Sequence, residues 1–240
     1  MRVKDSYLAG LKDGIPIFLG YVTVSLTFGM RICMQGFPVW LAALVSATNL
    51  TSAGQFAATN LMLQHAPVIE IATVTLVVNM RYFLMSIALS QKFIPDYKLH
   101  NRLLTAHGVT DEIFALAVSR PGFVAPQYMY GLITMPLIGW TFGTILGGIF
   151  TQILPQSIVS AMGLALYAMF IAIIIPPALK DKAIAITVAA ATLLSILMTY
   201  ISFFSGISEG WRIIIIAVLV PAVVAVFFPV KDEEEVAPND

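Results

Sequence analysis

The sequence predicts an all-α integral membrane protein, and three observations support this prediction. Hydrophobic residues make up 59% of the 240 positions, charged residues make up only 11%, and the mean hydropathy is +0.89. A soluble globular chain has about 25% charged residues, so this chain has too few polar groups to cover a water-exposed surface. The apolar residues also fall into segments of about 20, the length that a helix needs to cross a bilayer core.

Seven apolar segments have this length, and prolines mark several of their boundaries. Pro38, Pro67 and Pro155 stand at or just before helix starts, where a missing backbone N–H costs little. Pro176-Pro177 ends the fifth segment, and Lys180-Asp181-Lys182 then forms a short polar turn. The predicted spans cover about residues 15–34, 39–63, 67–91, 127–150, 157–176, 183–205 and 211–229.

The seven spans predict a single transmembrane transporter domain over residues 1–230, with a disordered acidic tail at residues 231–240. The formal net charge is zero, which gives no reason to expect a nucleic-acid partner. The single cysteine, Cys33, has no partner for an internal disulfide, and the three histidines lack metal-ligand spacing. We therefore expect no cofactor, no metal and no enzymatic activity.

Lysine and arginine in short loops predict the orientation. The loops after the third and fifth spans are basic, whereas the connections near residues 35, 64 and 152 have no Lys or Arg. Seven plain crossings place both basic loops and the C-terminus in the cytoplasm, and the N-terminus outside. The basic N-terminal segment (Arg2, Lys4 and Lys12) conflicts with this arrangement, unless span two or residues 103–118 enter the membrane without crossing it. The two loops contain Lys92, Lys98, Arg102 and Arg120, and Lys180 and Lys182.

A short internal similarity suggests two related halves. Thr27-Phe28-Gly29 in span one recurs as Thr141-Phe142-Gly143 in span four, and a proline opens the next span in both cases. Halves of three helices each would be inverted relative to each other, as in many transporters, with the seventh span as an extra helix.

Span two contains a dense cluster of polar residues in its middle. Two arrangements are open: the polar residues line one face of a continuous helix, or the helix breaks between Asn49 and Gly54 and exposes backbone groups that must be buried or line a cavity. Either arrangement offers hydrogen bonds to a small polar substrate, whereas the alternative role is packing between helices. The pathway candidates are Thr48, Asn49, Thr51, Ser52, Gly54 and Gln55, with Thr48, Ser52, Gln55 and Thr59 on the predicted common face.

Span three contains Arg81 beside Asn79, and both are candidate site residues. Arginine keeps its charge, so inside a membrane it needs an anion, which is either a protein carboxylate or the carboxylate of a substrate. Glu70 is too far along the helix for a direct pair, and we expect it in the first helical turn after Pro67, where the helix dipole favours it.

Thr110-Asp111-Glu112 interrupts an otherwise apolar stretch. Thr110 can cap a helix that begins at Asp111, and acids are favoured in a first turn. A second hypothesis makes Asp111 or Glu112 the partner of Arg81, or the acceptor of a proton or amino group. Span four has glycines at every fourth position, Gly139, Gly143 and Gly147, which predicts close packing with another helix.

At these motifs the sequence resembles the AzlC family, the large subunits of branched-chain amino-acid exporters. The resemblance covers nearly the whole chain, and one departure is Gly54, where the family usually has serine. The matching stretches are Asp13-Gly14-Ile15-Pro16 leading to Phe28-Gly29, Ser52-Ala53-Gly54-Gln55-Phe56, Asn79-Met80-Arg81-Tyr82 and Thr110-Asp111-Glu112-Ile113-Phe114-Ala115.

The resemblance implies a cell-membrane protein that exports valine, leucine, isoleucine or methionine, driven by the proton gradient. It also implies a separate small hydrophobic partner, an AzlD-like subunit. Two alternatives stay open: a structural membrane subunit that transports nothing, and a transporter of another small polar solute.

Overall fold

A computed structural model describes residues 6–153, 155, 157, 171 and 174–228 of the chain. The chain divides into two compact units, Met1–Met169 and Phe170–Asp240, which are described separately below. Most of the fifth predicted span and the acidic tail lie outside the described residues, and the single domain over residues 1–230 stays a prediction.

The described residues confirm the all-α prediction. Within the described part of the chain, five helices are long and apolar enough to cross a membrane: α1, α4, α7, α8 and α9. The predicted second span is instead two short helices, α2 and α3, and two more short helices, α5 and α6, precede α7. The helices are α1 Tyr7–Met34, α2 Val39–Thr48, α3 Ala53–Leu63, α4 Val68–Ser90, α5 Leu99–His107, α6 Asp111–Ser119, α7 Pro126–Ile153, α8 Lys182–Tyr200 and α9 Glu209–Phe227.

Several helices begin where the sequence predicts. Pro38 and Pro67 occupy the positions just before α2 and α4, and Glu70 lies buried in the first turn of α4, as expected. The Thr110 side chain accepts a hydrogen bond from the Ile113 N–H at the start of α6, which confirms the predicted cap. These boundaries follow from local chemistry that the sequence displays directly.

Helices α1 and α7 run parallel and their backbones are in contact. A Cβ atom added at Gly10 would overlap the Tyr128 carbonyl, and one added at Gly147 would overlap the Leu26 carbonyl. Contacts therefore advance in the same direction along both helices. The glycines at 139, 143 and 147 all face α1 in this way, which confirms that their spacing serves helix packing.

The parallel arrangement corrects the expectation that spans one to three and spans four to six are the two inverted halves, because that division would make spans one and four antiparallel. The cause lies in α2 and α3, which do not cross together as one span. Ser46, close to the break between the two helices, contacts Thr144 of α7 at 2.7 Å between hydroxyl oxygens. Val39 at the start of α2 lies beside Gly148 near the end of α7, since a Cβ added at Gly148 would lie 3.0 Å from Val39 Cγ2. Asn60 near the end of α3 accepts a hydrogen bond of 2.6 Å from Arg31 near the end of α1. Both ends of this pair therefore lie where α1 and α7 end, and we call the pair hairpin A.

Helices α5 and α6 form a second helical hairpin, which we call hairpin B. Asn101 on α5 accepts a hydrogen bond of 2.8 Å from Tyr130 near the start of α7. After α6 the chain returns to the same end, where Arg120 Nη1 lies 3.5 Å from Asp13 Oδ2 of α1. Hairpin B therefore enters from the end of unit 1 at which α1 and α7 begin.

Helix α4 connects the two ends and runs opposite to α1. It begins directly after hairpin A, and the Lys92 ammonium just beyond its end donates to the Arg120 carbonyl at 2.9 Å. The repeated element is thus one long helix plus one hairpin: α1 with hairpin A, and α4 with hairpin B in the inverted sense.

This topology also corrects the expectation of an N-terminus opposite the basic loop. The start of α1, the loop after α4 and the loop before α7 share one end of unit 1, the basic end. The two connections at the other end, residues 35–38 and 64–67, contain no Lys or Arg. Because the two hairpins turn back, the conflict in the loop charges disappears.

In the second unit, α8 and α9 form a helical hairpin. Asp181 caps α8 and Ser208 caps α9. Arg212 closes the connection between them by donating to the carbonyls of Phe204 at 3.0 Å and Ile207 at 2.8 Å.

Candidate substrate site between two hairpin tips

The tips of hairpins A and B meet beside the middle of α4, and Arg81 joins them. The Arg81 Nη1 atom lies 2.7 Å from Asp111 Oδ2 at the tip of hairpin B. Its Nη2 atom donates to the Tyr82 hydroxyl at 3.0 Å, and that hydroxyl donates to the Thr51 carbonyl of hairpin A at 3.1 Å. The structure thus brings together the predicted candidates of spans two and three and of the acidic motif.

The Arg81–Asp111 pair is accessible. The two side chains are 42% and 48% exposed, so another anion can reach the guanidinium without first dismantling a packed core. The ring of Tyr82 lies beneath the guanidinium, with 4.9 Å between the Arg81 Cζ atom and the ring centroid, and this contact helps to fix its orientation.

The two adjacent acids have different partners. Asp111 pairs with Arg81, whereas Glu112 Oε2 accepts a hydrogen bond of 2.5 Å from the Tyr21 hydroxyl of α1. The same hydroxyl lies 2.7 Å from Thr110 Oγ1. The two adjacent carboxylates are thus bound to different helices, α4 and α1.

Gln55 is fully buried and holds hairpin A in place. Its Nε2 atom donates to the Val45 carbonyl at 3.1 Å, and its Oε1 atom accepts from Trp140 Nε1 of α7 at 2.8 Å. The Gln55 amide therefore ties both arms of the hairpin to α7, and it does not face an open pathway.

The predicted common face of Thr48, Ser52, Gln55 and Thr59 does not form. Residues 49–52 interrupt the helix, and Ser52 has a φ of +47°, in the left-handed region. Thr48 is exposed and donates to the Leu44 carbonyl at 2.7 Å, whereas Thr59 is buried and donates to the Gln55 carbonyl at 2.7 Å. The second arrangement, a broken helix, is the one present.

The break in hairpin A positions Asn79 of α4. Gly54 in the first turn of α3 leaves room for the Asn79 amide, since an added Cβ would lie 2.5 Å from Asn79 Oδ1 and 2.6 Å from Thr51 Oγ1. Thr51 donates to Asn49 Oδ1 at 2.7 Å. The buried Asn79 Oδ1 atom has no hydrogen-bond partner among the described residues.

Both broken segments present helix N-termini to the same place. Helix α3 begins at Ala53 and α6 at Asp111, and N-terminal helix ends favour negative charge through their free N–H groups and the helix dipole. Arg81 and these two ends give the site a positive character, which Asp111 partly neutralises.

Sequence reasoning did not single out Tyr21, Tyr82 and Trp140. Each is a large aromatic residue with one polar atom, a type that is common in apolar spans and near membrane surfaces, so composition alone gave no signal. Tyr82 was indicated only as a member of the Asn79-Met80-Arg81-Tyr82 stretch. Tyr21 and Trp140 are in edge-to-face contact, with 5.2 Å between ring centroids, and together they link the supports of the two hairpins.

Fold and site together define a multi-pass α-helical membrane protein with discontinuous helices around a central charged site. The model of the AzlC protein family matches residues 16–154, more than half of the chain, and the chain belongs to that family. The matched range contains both hairpins and the site.

Relatives from several organisms are named as membrane or transport proteins. The inner membrane protein YgaZ of Escherichia coli is 24% identical over 191 residues, 77% of this chain and 78% of the relative. A membrane protein of Archaeoglobus fulgidus is 30% identical over 169 residues, 70% of this chain and 74% of the relative. The branched-chain amino acid transport protein AzlC of Bacillus subtilis is 25% identical over 171 residues, 70% of this chain and 66% of the relative. No solved structure matches the chain significantly.

Proposed function

We propose that this protein is the large subunit of a secondary transporter that exports small neutral amino acids, the branched-chain ones above all, across the plasma membrane. The observation that carries the proposal is the position of Arg81, a permanent cation in a long apolar helix between two hairpin tips. A guanidinium binds a carboxylate with two parallel hydrogen bonds, so the α-carboxylate of an amino acid suits this position. The family and the name of the Bacillus subtilis relative support the substrate class.

Substrate binding follows from competition for Arg81. The incoming carboxylate takes the place of the Asp111 carboxylate, and the N-terminal ends of α3 and α6 favour the same negative charge. Transporters with broken helices hold substrates near the middle of the membrane in this way.

We assign the coupled proton to Asp111 or Glu112. Both acids lie at the meeting point of the hairpins, and each is bound to a different long helix, α4 through Arg81 and α1 through Tyr21. A change of protonation at either acid would alter how hairpin B is attached. Export that is accelerated by an inward proton gradient, and lost in Asp111→Asn or Glu112→Gln, tests this assignment.

We propose a cytoplasmic location for the basic end of unit 1 and hence for the N-terminus. Lys12, Lys92, Lys98 and Arg120 lie at that end, and cytoplasmic loops are enriched in Lys and Arg. In the second unit, Lys180 and Lys182 precede a hairpin of two spans, so the C-terminus lies on the side of these lysines and is also cytoplasmic.

A small AzlD-like membrane subunit is the proposed partner, and α4 is its proposed contact. Only 6% of the apolar 18-residue stretch of α4 is buried. Charged residues at the bilayer centre cost about 2.5–3.5 kcal/mol each when lipid surrounds them, so a protein cover over Arg81 and Asp111 is favoured. The exposed apolar residues on α4 include Leu76, Met80, Phe83, Leu84 and Ile87.

Counterflow in proteoliposomes tests the proposal. Radiolabelled leucine, valine, methionine and, as an unrelated amino acid, lysine are offered to the protein with and without the co-purified small subunit. We expect exchange of the first three and not of lysine, and a loss of at least tenfold in Arg81→Gln. Inactivity with the small subunit present would instead favour a structural membrane subunit.

A further inference from the structure

The Asn79 side chain presents an unusual feature, a buried amide oxygen with no hydrogen-bond partner among the described residues. Buried polar atoms in folded proteins nearly always have partners, because an unmade hydrogen bond lowers stability. Asn79 lies in the middle of an apolar helix, where leucine would fit without this cost. The retained oxygen therefore points to a ligand that supplies a hydrogen.

The surroundings of Asn79 define the chemistry of that ligand. The same position at Gly54 lies 2.5 Å from Asn79 Oδ1 and 2.6 Å from Thr51 Oγ1, so these two oxygens are at most about 5 Å apart. Because Thr51 donates its hydroxyl hydrogen to Asn49, its Oγ1 lone pairs remain available. The two oxygens are neutral acceptors, while the donor Asn79 Nδ2 lies 2.7 Å from the same position. A group with several donors and no acceptor, such as an ammonium, fits the two oxygens.

Arg81 helps to decide between an ammonium group and a free metal cation. The guanidinium reaches the Thr51 carbonyl through the single hydroxyl of Tyr82. A separate cation such as Na⁺ would be repelled by this permanent charge, whereas a zwitterionic amino acid brings a carboxylate that neutralises it. The site therefore favours a cation that is covalently joined to an anion.

We propose that Asn79 Oδ1 and Thr51 Oγ1 bind the α-ammonium group of the substrate while Arg81 binds its carboxylate. This inference rests on the proposed function and adds the residues that make a free amino group a requirement. Gly54 belongs to the same subsite, since a Cβ there would displace the Asn79 amide. A site that is built to bind a polar group rejects an analogue without it far more strongly than an apolar pocket rejects a change of one methylene.

The test uses the full-length protein with its small subunit in proteoliposomes. Counterflow of radiolabelled leucine is inhibited with unlabelled leucine, with 4-methylpentanoate, which lacks the amino group, or with N-acetyl-leucine, in which the amine is uncharged. In the wild type we expect leucine to inhibit at least about 100-fold better than either analogue. In Asn79→Leu, which has a similar size, leucine should lose most of this advantage, whereas 4-methylpentanoate should inhibit about equally well in both proteins.

Asn79→Asp and Gly54→Ala are the matched variants. Asn79→Asp keeps an acceptor oxygen and should retain the preference for leucine, and Gly54→Ala should weaken it with Asn79 still present. Each variant is first checked for its elution as a single species and for its thermal unfolding. Should Asn79→Leu fail this check, the comparison rests on Gly54→Ala and Thr51→Val.

Three outcomes would overturn the inference while leaving the proposed function intact. The first is an unchanged preference for leucine in every variant that folds, and the second is an equal loss of affinity for leucine and for 4-methylpentanoate. The third is counterflow that requires Na⁺ over choline in the wild type and loses that requirement in Asn79→Leu, which would make the cluster a metal-cation site. Absence of leucine exchange by the wild type would overturn the proposed function and this subsite with it.

Discussion

Replacing Arg81 and Asp111 singly and together measures how strongly these residues depend on each other. The perturbation is a double-mutant cycle with Arg81→Gln, Asp111→Asn and the combined variant. If the ion pair is the main interaction of both side chains, the second substitution should do little further damage once the first is present. Asp111→Asn keeps the size of the side chain, whereas Arg81→Gln also shortens it and removes the contact with Tyr82, so the pairwise coupling is read only after both single effects are subtracted.

The structure sets the expected magnitude. The two charged atoms are 2.7 Å apart, a distance typical of a strong charge-assisted hydrogen bond, but the side chains are 42% and 48% exposed. Exposed ion pairs contribute about 1 kcal/mol or less, whereas breaking a fully buried pair costs about 3–5 kcal/mol. For this intermediate exposure we expect a coupling free energy of about 1–3 kcal/mol.

Glu112 supplies the control. It is the neighbour of Asp111 in sequence, yet it is bound to Tyr21 on another helix. A cycle of Arg81→Gln with Glu112→Gln should therefore be additive to within about 0.5 kcal/mol. Arg81→Lys should restore transport only in part, because an ammonium lacks the planar fork of the guanidinium.

The assay has two readouts: thermal unfolding of the purified protein, and the initial rate of leucine counterflow. Coupling in both readouts is expected, since substrate and Asp111 use the same guanidinium. Strictly additive losses for Arg81 and Asp111, together with coupling between Arg81 and Glu112, would refute the pairing on which the proposed site depends.

Three further predictions follow from the topology and the packing. Reporters fused at the N-terminus and in the loop after α4 should both be cytoplasmic, and opposite signals from the two would contradict the hairpin topology. In a variant without the native cysteine, Thr51→Cys should react with a water-soluble thiol reagent, and leucine should slow this reaction. Gln55→Cys should not react. Equal labelling at both positions would contradict the described packing of hairpin A against α7. Gly147→Ala should lower the free energy of unfolding by about 1–3 kcal/mol, because the new methyl group overlaps the backbone of α1. The control is Gly20→Ala, whose methyl group meets nothing within 4 Å and should not lower the stability. Equal effects of the two variants on thermal unfolding would argue against the α1–α7 contact.

The parts of the molecule that the sequence predicted are those that local chemistry and charge determine. Thr110 caps α6 as its position before two acids indicated. Asp111 lies against Arg81, as expected from the need of an intramembrane cation for an anion, although nothing in the sequence told Asp111 from Glu112 as the partner. The functional roles of these residues stay predictions.

The return of each hairpin to the side it entered was harder to predict, because the length of an apolar segment does not show whether it crosses the membrane or turns back. Residues 39–63 are long enough for one straight span, but they form two short helices that re-emerge on the side they entered. Two signals pointed to this: polar residues and Gly54 around the break, and the basic N-terminal segment that seven crossings placed outside. Which helix supports the hairpin depends on Trp140, 85 residues away from Gln55, and no local pattern contains that information.

The contact between hairpin A and α7 has a consequence for the synthesis of the chain. Ser46 and Gln55 find their partners, Thr144 and Trp140, on a helix that begins only at Pro126. At about 5–20 residues per second, the ribosome needs several seconds to pass from hairpin A to α7. During that interval the Ser46 hydroxyl and the Gln55 amide oxygen lack these partners, and lipid provides no substitute. Insertion machinery, or a partner subunit that arrives early, must therefore shelter the first hairpin, and a chain truncated before α7 should be a substrate for membrane proteases.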